Sequence, residues 1–458
     1  MRRRRNAVKL ICIASFLLVG ITTAGCGNAR PVVAKNVILM ITDGCGFNAF
    51  NAASYYQHGQ LGKQPYDSFP VKYACTTYAF GQDYQPERMW ASAVYNGGIR
   101  CTDSAAAATA LYTGVKTKTG RVGLSPRGDH LLTIAQLADA RGKSTGTLSS
   151  VMFSHATPCC VWAHNTSRNH YAEIAREMIY DSGLEVMMGP GHPDFDNNGK
   201  PTEDKDYQYV GGAETWQDLT DEDGANGYQL AQTYNEFKKL AAGKDLPKKL
   251  VAIPQIRRTL QYGRSGKASG KLIEDMPDLK TMSLAAINVL AQNPRGFFLM
   301  VEGGAVDWAN HANNLPRMIE EQVDFNNAVQ AVVDWVAKES SWDETLVIVT
   351  SDHECGMLWG AGTFEDKDGN GKFHFRRDTF KAWKAIGNAG VGVVPDHQYA
   401  SGSHTNTPVP LYAKGPGSEM FASLVDGTDK MYGQYVDNTD IFTVMRSALL
   451  APVTVPSN

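Results

Sequence analysis

Asp307 and His311 stand four residues apart. That spacing puts two side chains on one face of a helix, where a carboxylate and an imidazole can chelate one metal ion. An isolated pair of this kind is commonly a surface pair. Here it follows an apolar run, Glu302 and Gly303-Gly304. Asp352-His353 places a second carboxylate and imidazole side by side, again directly after an apolar run. A candidate nucleophile lies in Thr102-Asp103-Ser104-Ala105-Ala106-Ala107-Ala108. Ser104 falls at a loop-to-helix transition, where free N–H groups and the positive dipole end favour an anion. The same residues also read as a plain helix cap, with Ser104 or Asp103 as the N-cap. A serine hydroxyl is a weak nucleophile until a base or metal activates it, and the metal candidates supply that activator.

The elements that position these groups are legible as well. Lys35 to Ile41 is a nearly continuous apolar run that reaches Asp43 through Thr42. Phe297 to Val301 ends in Glu302, and Thr345 to Thr350 ends in Ser351-Asp352-His353. Buried parallel strands have this form. Ser144 to Val151 and Val409 to Ala413 are further strand candidates. Helical patterns cover Ser104 to Tyr112, Tyr171 to Tyr180, Met282 to Ala291 and Glu320 to Lys338. The alternation predicts an α/β fold: a mostly parallel central sheet with helices on both faces. Ligands of such sheets bind at the carboxyl ends of strands. Asp43, Glu302 and Asp352-His353 are therefore expected on one edge. Residues 190–275 and 360–405 are polar and loop-rich and read as surface insertions around the site. There is no internal repeat, and residues 26–458 read as a single domain.

The 458 residues are 43% hydrophobic and 20% charged, as in an average globular protein. This excludes collagen, a disordered tail and a polytopic membrane protein. Net charge is −3, which argues against nucleic acid as a specific partner. Five of the 44 Lys+Arg fall within residues 1–25, ahead of and beside the short apolar run Leu10 to Ile21. Basic region, apolar run and Ala24-Gly25 read as an export signal. Cys26 at the cleavage point suggests a lipoprotein whose Cys26 carries lipid, although Thr23 occupies the usual Leu position of that motif. Export would place the protein in the periplasm or on the outer membrane. Without residues 1–25, 39 basic residues face 47 acids, a charge near −8. The eight cysteines lack zinc-finger spacing, and Cys159-Cys160 read as small buried residues.

Taken in order, the motifs resemble the alkaline phosphatase family, the metal-dependent phosphatases with a serine nucleophile. They are Ile41-Thr42-Asp43-Gly44, Thr102-Asp103-Ser104-Ala105-Ala106, His155-Ala156-Thr157-Pro158, Ser167-Arg168, Val301-Glu302-Gly303 with Asp307 and His311, Thr350-Ser351-Asp352-His353, and Gly402-Ser403-His404-Thr405. The resemblance runs from Asn36 to Gly415. It implies one Zn²⁺ held by Asp307, His311 and His404, and a second held by Asp43, Asp352 and His353. It implies a third ion, Mg²⁺, held by Asp43, Thr157 and Glu302. Ser104 would be phosphorylated and Arg168 would grip two phosphate oxygens. His155 and Trp308 stand where some members have Asp and Lys, so they are expected beside the metals and phosphate rather than as ligands.

The implied activity is hydrolysis of phosphate monoesters. Three divalent ions against Asp43, Asp307, Asp352 and Glu302 leave a charge of about +2, which suits a monoester dianion better than a diester. The rivals are a phosphodiesterase of the same superfamily and a lipid-anchored phosphate- or metal-binding protein without catalysis. No elaborate leaving-group pocket is legible, so broad monoester use is expected. A homodimer is implied by the family alone. The acidic loops Asp194–Gly199 and Asp366–Gly371 resemble partial calcium loops, but Lys205 and Arg377 stand where the last ligand belongs. Acidic turns are the default reading. His164, His192 and His397 are further histidines with a claim to lie near the site.

Overall fold

The structure is a computed structural model that describes residues 33–91, 101–221, 223–268, 270–376 and 378–450. The export signal, Cys26 and Arg377 lie outside the described residues. Strand β1 (Asn36–Thr42) sits inside an eleven-stranded sheet, flanked by β7 (Phe297–Gly303) and β8 (Thr345–Thr350), both parallel to it. Beyond β7 come β3 (Ser144–Ser149), β4 (Val186–Met188), β6 (Leu250–Ala252) and β5 (Gln229–Ala231), all parallel. Beyond β8 comes β13 (Val409–Lys414), which runs antiparallel to both its neighbours. Next are β2 (Val71–Thr76), β15 (Gly433–Asp437), parallel to β2, and the antiparallel edge strand β14 (Gly427–Asp429). Two small antiparallel pairs stand outside the sheet. They are β9 (Glu354–Cys355) with β12 (His404–Thr405), and β10 (Leu358–Gly360) with β11 (His397–Tyr399).

All seven residues of β1 are buried, which explains its apolar run. Successive side chains leave opposite faces of a strand. Val37, Leu39 and Ile41 join one core with helices α2 (Ser104–Thr113) and α7 (Asn438–Leu450). Ile38 and Met40 join the other, with α4 (Leu279–Leu290) and α6 (Leu315–Glu339). β8 divides in the same way, with Leu346 and Ile348 on one face and Val347 and Val349 on the other. Each such side chain contributes about 1.5–3 kcal/mol through burial. Helix-covered faces on both sides agree with the expected architecture.

The segment 190–275 departs from the expected surface insertion. It supplies β5 and β6, which complete one side of the sheet. Each has three residues, too short to show a period in sequence. The helix expected over Tyr171 to Tyr180 is α-helical to Arg176 and continues as a π-helical turn, Glu177–Asp181.

The candidate metal and catalytic centre

Register fixes the edge on which the chemistry gathers. Ile41 pairs with Glu302 on one side and Thr350 on the other, and Ser149 pairs with Glu302. The carboxyl ends of β3, β7, β1 and β8 thus lie level. Asp43 leaves the end of β1 and is fully buried. Gly44 follows at φ +67°, where an added Cβ would lie 2.7 Å from the Cα of Asp307. Glycine therefore lets the β1 turn approach α5 (Ala305–His311), the short helix that carries Asp307 and His311 on one face. Asn310 of α5 donates to the Gly44 carbonyl at 2.9 Å.

Two groups of donors form. In the first, Asp307 Oδ2 lies 3.3 Å from His311 Nε2, and Asp307 Oδ1 lies 3.5 Å from His404 Nε2. The outer nitrogens are fixed by carbonyls: His311 Nδ1 meets Gly402 O, and His404 Nδ1 meets Thr102 O, each at 2.8 Å. This leaves both Nε2 atoms facing the carboxylate. In the second, His353 Nε2 lies 3.3 Å from Asp352 Oδ2 and 3.5 Å from Asp43 Oδ1. The Gly44 and His353 amides donate to Asp352 Oδ1, which holds that carboxylate in place. Ligand-capable atoms of Asp43, Asp307 and His353 all lie within 4.8 Å of one another, so the groups adjoin.

A third group is all oxygen. Glu302 Oε2 accepts from the Ser149 hydroxyl, while Glu302 Oε1 and Thr157 Oγ1, the latter on α3 (Ala156–Cys159), are buried without hydrogen-bond partners. The same is true of both oxygens of Asp43, Asp352 Oδ2 and Asp307 Oδ1. Buried polar atoms are ordinarily paired. Their convergence here fits divalent cations: imidazole and carboxylate donors suit zinc, and the oxygen set suits magnesium.

Charge supports the same conclusion. Burial pushes the Asp43 carboxyl well up, and Asp352, Asp307 and Glu302 push it further. Burial raises Asp352 to about 6, with Asp307 adding to it, and raises Glu302 to about 7. Burial would raise Asp307 too, but His404, His311 and His353 outweigh it and hold the carboxyl below its usual value. Burial works against a charged His404, yet its contact with Asp307 lifts it to about 9. Carboxylates crowded in this way call for cations.

Ser104 opens α2, with its Oγ 3.3 Å from His353 Nε2. Asp103 is the N-cap: its side chain accepts the Ala106 amide at 3.0 Å. The cap reading of this segment therefore holds for Asp103, which leaves the Ser104 hydroxyl unused by the cap. Asp103 also pairs with Arg168 at 3.0 Å, and the other arm of that guanidinium lies 3.3 Å from His155 Nε2. Burial lowers His155 to about 3, and Arg168 adds to this, so its imidazole is neutral. The Trp308 ring meets His155 edge-on at 5.8 Å and carries the Arg258 guanidinium 4.8 Å above its face.

The residues expected as metal ligands, with Ser104, Arg168, His155 and Trp308, lie in this region. Sequence reasoning missed Ser149, Arg258 and Cys355. The Arg257-Arg258 pair was a visible but nonspecific signal. Cys355 pairs across β9 and β12 with His404 and joins the Asp307–His311–His404 group. Three other histidines are engaged elsewhere: His164 with Glu177 and Leu131 O, His192 with Gln232, and His397 with Pro395 O. The acidic loops are self-bonded turns. Asp196 accepts the Asn198 and Lys200 amides, and Asp366 accepts those of Asn370 and Gly371. Cys159 and Cys160 are buried free thiols.

Comparison with known proteins agrees with the geometry. Residues 34–379 match the family described as Alkaline phosphatase. The alkaline phosphatase of Escherichia fergusonii is 30% identical over 448 residues, covering 88% of this chain and 85% of the relative. Alkaline phosphatase 4 of Bacillus subtilis is 28% identical over 443 residues, covering 86% and 87%. The alkaline phosphatase from the Antarctic bacterium TAB5 shares the fold, with a TM-score of 0.63 at 22% identity, over 92% of this chain and 100% of that one. A histidine-to-aspartate mutant of the TAB5 enzyme has Mg bound in its M3 site. The chain belongs to the alkaline phosphatase family. It is a metal-binding hydrolase of phosphate monoesters.

Proposed function

We propose that this phosphatase works through a phosphoserine on Ser104. Two zinc ions are held by Asp307–His311–His404 and by Asp43–Asp352–His353, and one magnesium by Asp43, Glu302 and Thr157. The observation that carries this reading is the convergence of unpartnered buried donors beside Ser104. Magnesium in the M3 site of the TAB5 mutant supports the third ion.

When bound, the ions supply positive charge that lowers the serine pKa and balances a dianion. The chain's own residues do the positioning. The N-terminus of α2 directs its free N–H groups toward an anion at Ser104. Asp103 aims the Arg168 fork, whose donors match two phosphate oxygens. His353 fixes the height of Ser104 Oγ. Neutral His155 leaves Arg168 as the positive group on that side, with Arg258 over Trp308 further out.

Export with lipid on Cys26 completes the proposal. No helix among the described residues is long and apolar enough to cross a membrane. Labelled palmitate should be incorporated and should vanish in Cys26→Ser. A homodimer is implied by the family and is to be read by sedimentation.

The deciding assay uses a chromogenic monoester and a diester, with and without chelator, beside Ser104→Ala. Monoester turnover should exceed diester turnover and fall at least about 10³-fold in Ser104→Ala. Turnover that survives both chelation and the substitution would sink the mechanism, and a preference for the diester would favour the phosphodiesterase reading. No turnover in protein reloaded with Zn²⁺ and Mg²⁺ would leave a binding protein.

A further inference from the structure

Glu321 lies on α6, and its carboxyl belongs to no part of the catalytic arrangement. The residue is 4% exposed, its Oε1 has no hydrogen-bond partner, and no ion pair among the described residues includes it. Its neighbours are engaged. Glu320 is held by Arg264 and Arg317, and Asp324 accepts the Leu279 amide at 3.2 Å. Burial, helped by Asp324 and Glu320, pushes Glu321 up to about 8. A buried acid without a partner costs stability and calls for an explanation.

A cavity of about 470 Å³ opens beside it, and four acids line it: Glu321, Glu320, Asp324 and Asp278. Met276, Ile319, Val323 and Val394, with Tyr56 and Tyr234, give it an apolar lining. This volume is typical of small-molecule sites. Asp278 is engaged too, by the Thr281 amide, so the walls do not offer the several free oxygens that a metal ion needs. They suit a cation with an apolar body. The unpartnered Oε1 further requires an N–H donor, which a primary or secondary ammonium has and a quaternary ammonium lacks.

We propose that this cavity is a second, non-catalytic binding site for a primary or secondary amine with a short hydrocarbon or aromatic body, with Glu321 as its counter-ion. The ammonium donates to Glu321 Oε1, and the body covers Ile319 and Val323. A protonated Glu321 releases its proton to solvent as the ammonium enters, so the pair stays neutral. The site is separate from the phosphate chemistry. Gln322, the next residue, reaches the Thr42 and Cys45 side chains beside Asp43, whereas Glu321 faces the cavity.

The test is calorimetric titration of the zinc- and magnesium-loaded enzyme with n-hexylamine, n-hexanol and hexyltrimethylammonium. Hexylamine should bind at least about tenfold more tightly than the other two. That preference should disappear in Glu321→Gln, with monoester turnover unchanged. Val323→Trp, which fills the cavity, should abolish binding of all three. Equal affinity for the three probes, or no saturable binding, would overturn the proposal. So would amine binding that persists in Glu321→Gln and competes with substrate, since that places the amine at the metal centre. If Glu321→Gln does not fold, the ranking of the three probes on the unaltered enzyme decides.

Discussion

His155 is neutral and buried where a carboxylate would add a charged donor. Replacing it puts an oxygen ligand beside Glu302 and Thr157. His155→Asp should therefore tighten Mg²⁺ binding by about tenfold or more, measured by titration of the zinc-loaded protein. Unchanged Mg²⁺ affinity would count against the magnesium assignment. Glu321 yields a prediction about pH. Its ordinary value near 4.5 is raised to about 8 by burial and neighbouring acids. Between those values the native state holds a proton that the unfolded state has released. This contribution to stability therefore falls as pH rises through the window and levels off above about 8. Glu321→Gln removes it, so the variant should be more stable than the parent at pH 9, by about 1–3 kcal/mol. The two should converge near pH 5. Denaturant melts at both pH values check this, and an equal difference at the two would refute it.

At the scale of elements, the turn after β1 is the sensitive joint. An alanine at position 44 would drive its Cβ into Asp307, whose Oδ1 would lie 2.5 Å away. The contact involves backbone as well as side chain, so α5 must retreat. Gly44→Ala should lose at least about tenfold in both metal retention and turnover, because small displacements of ligands are costly. Metal content after dialysis is the direct readout, and a full complement of zinc in the variant would contradict the argument. Legibility in the sequence followed burial. β1, β7 and β8 were readable because strands buried on both faces are continuous apolar runs. β8 matches its expected limits, Thr345–Thr350. The short strands β4 to β6 and the edge pair β14–β15 carried too few residues to show a pattern. His404 was placed by resemblance alone, since two-residue β12 gives no local signal. Ser149 looked like any polar strand residue until Glu302 stood opposite it.

For the whole molecule, the acidic balance and the phosphate site are reconciled by the metals. Beyond residue 25 the chain carries a charge near −8 and gathers four carboxylates at one sheet edge. Without cations that edge repels phosphate and strains the fold. Chelation should abolish turnover and lower the midpoint of thermal unfolding by about 5–10 °C, with Zn²⁺ and Mg²⁺ together restoring both. A chelated protein that melts unchanged would show that the centre does not hold the sheet edge together.

The pairing of β9 with β12 has a consequence of another kind. Cys355 and His404 face each other, so everything between them leaves and returns at one point. Residues 356–403 form a loop whose ends meet at this pairing, beside the Asp307–His311–His404 group. Closing a longer loop costs little more than closing a shorter one, because the entropy grows only with the logarithm of length. The stretch between β10 and β11 can therefore change in length while the paired ends stay in place, whereas the inner part is held by Gly402 O on His311 Nδ1 and by Tyr399 on Asn310.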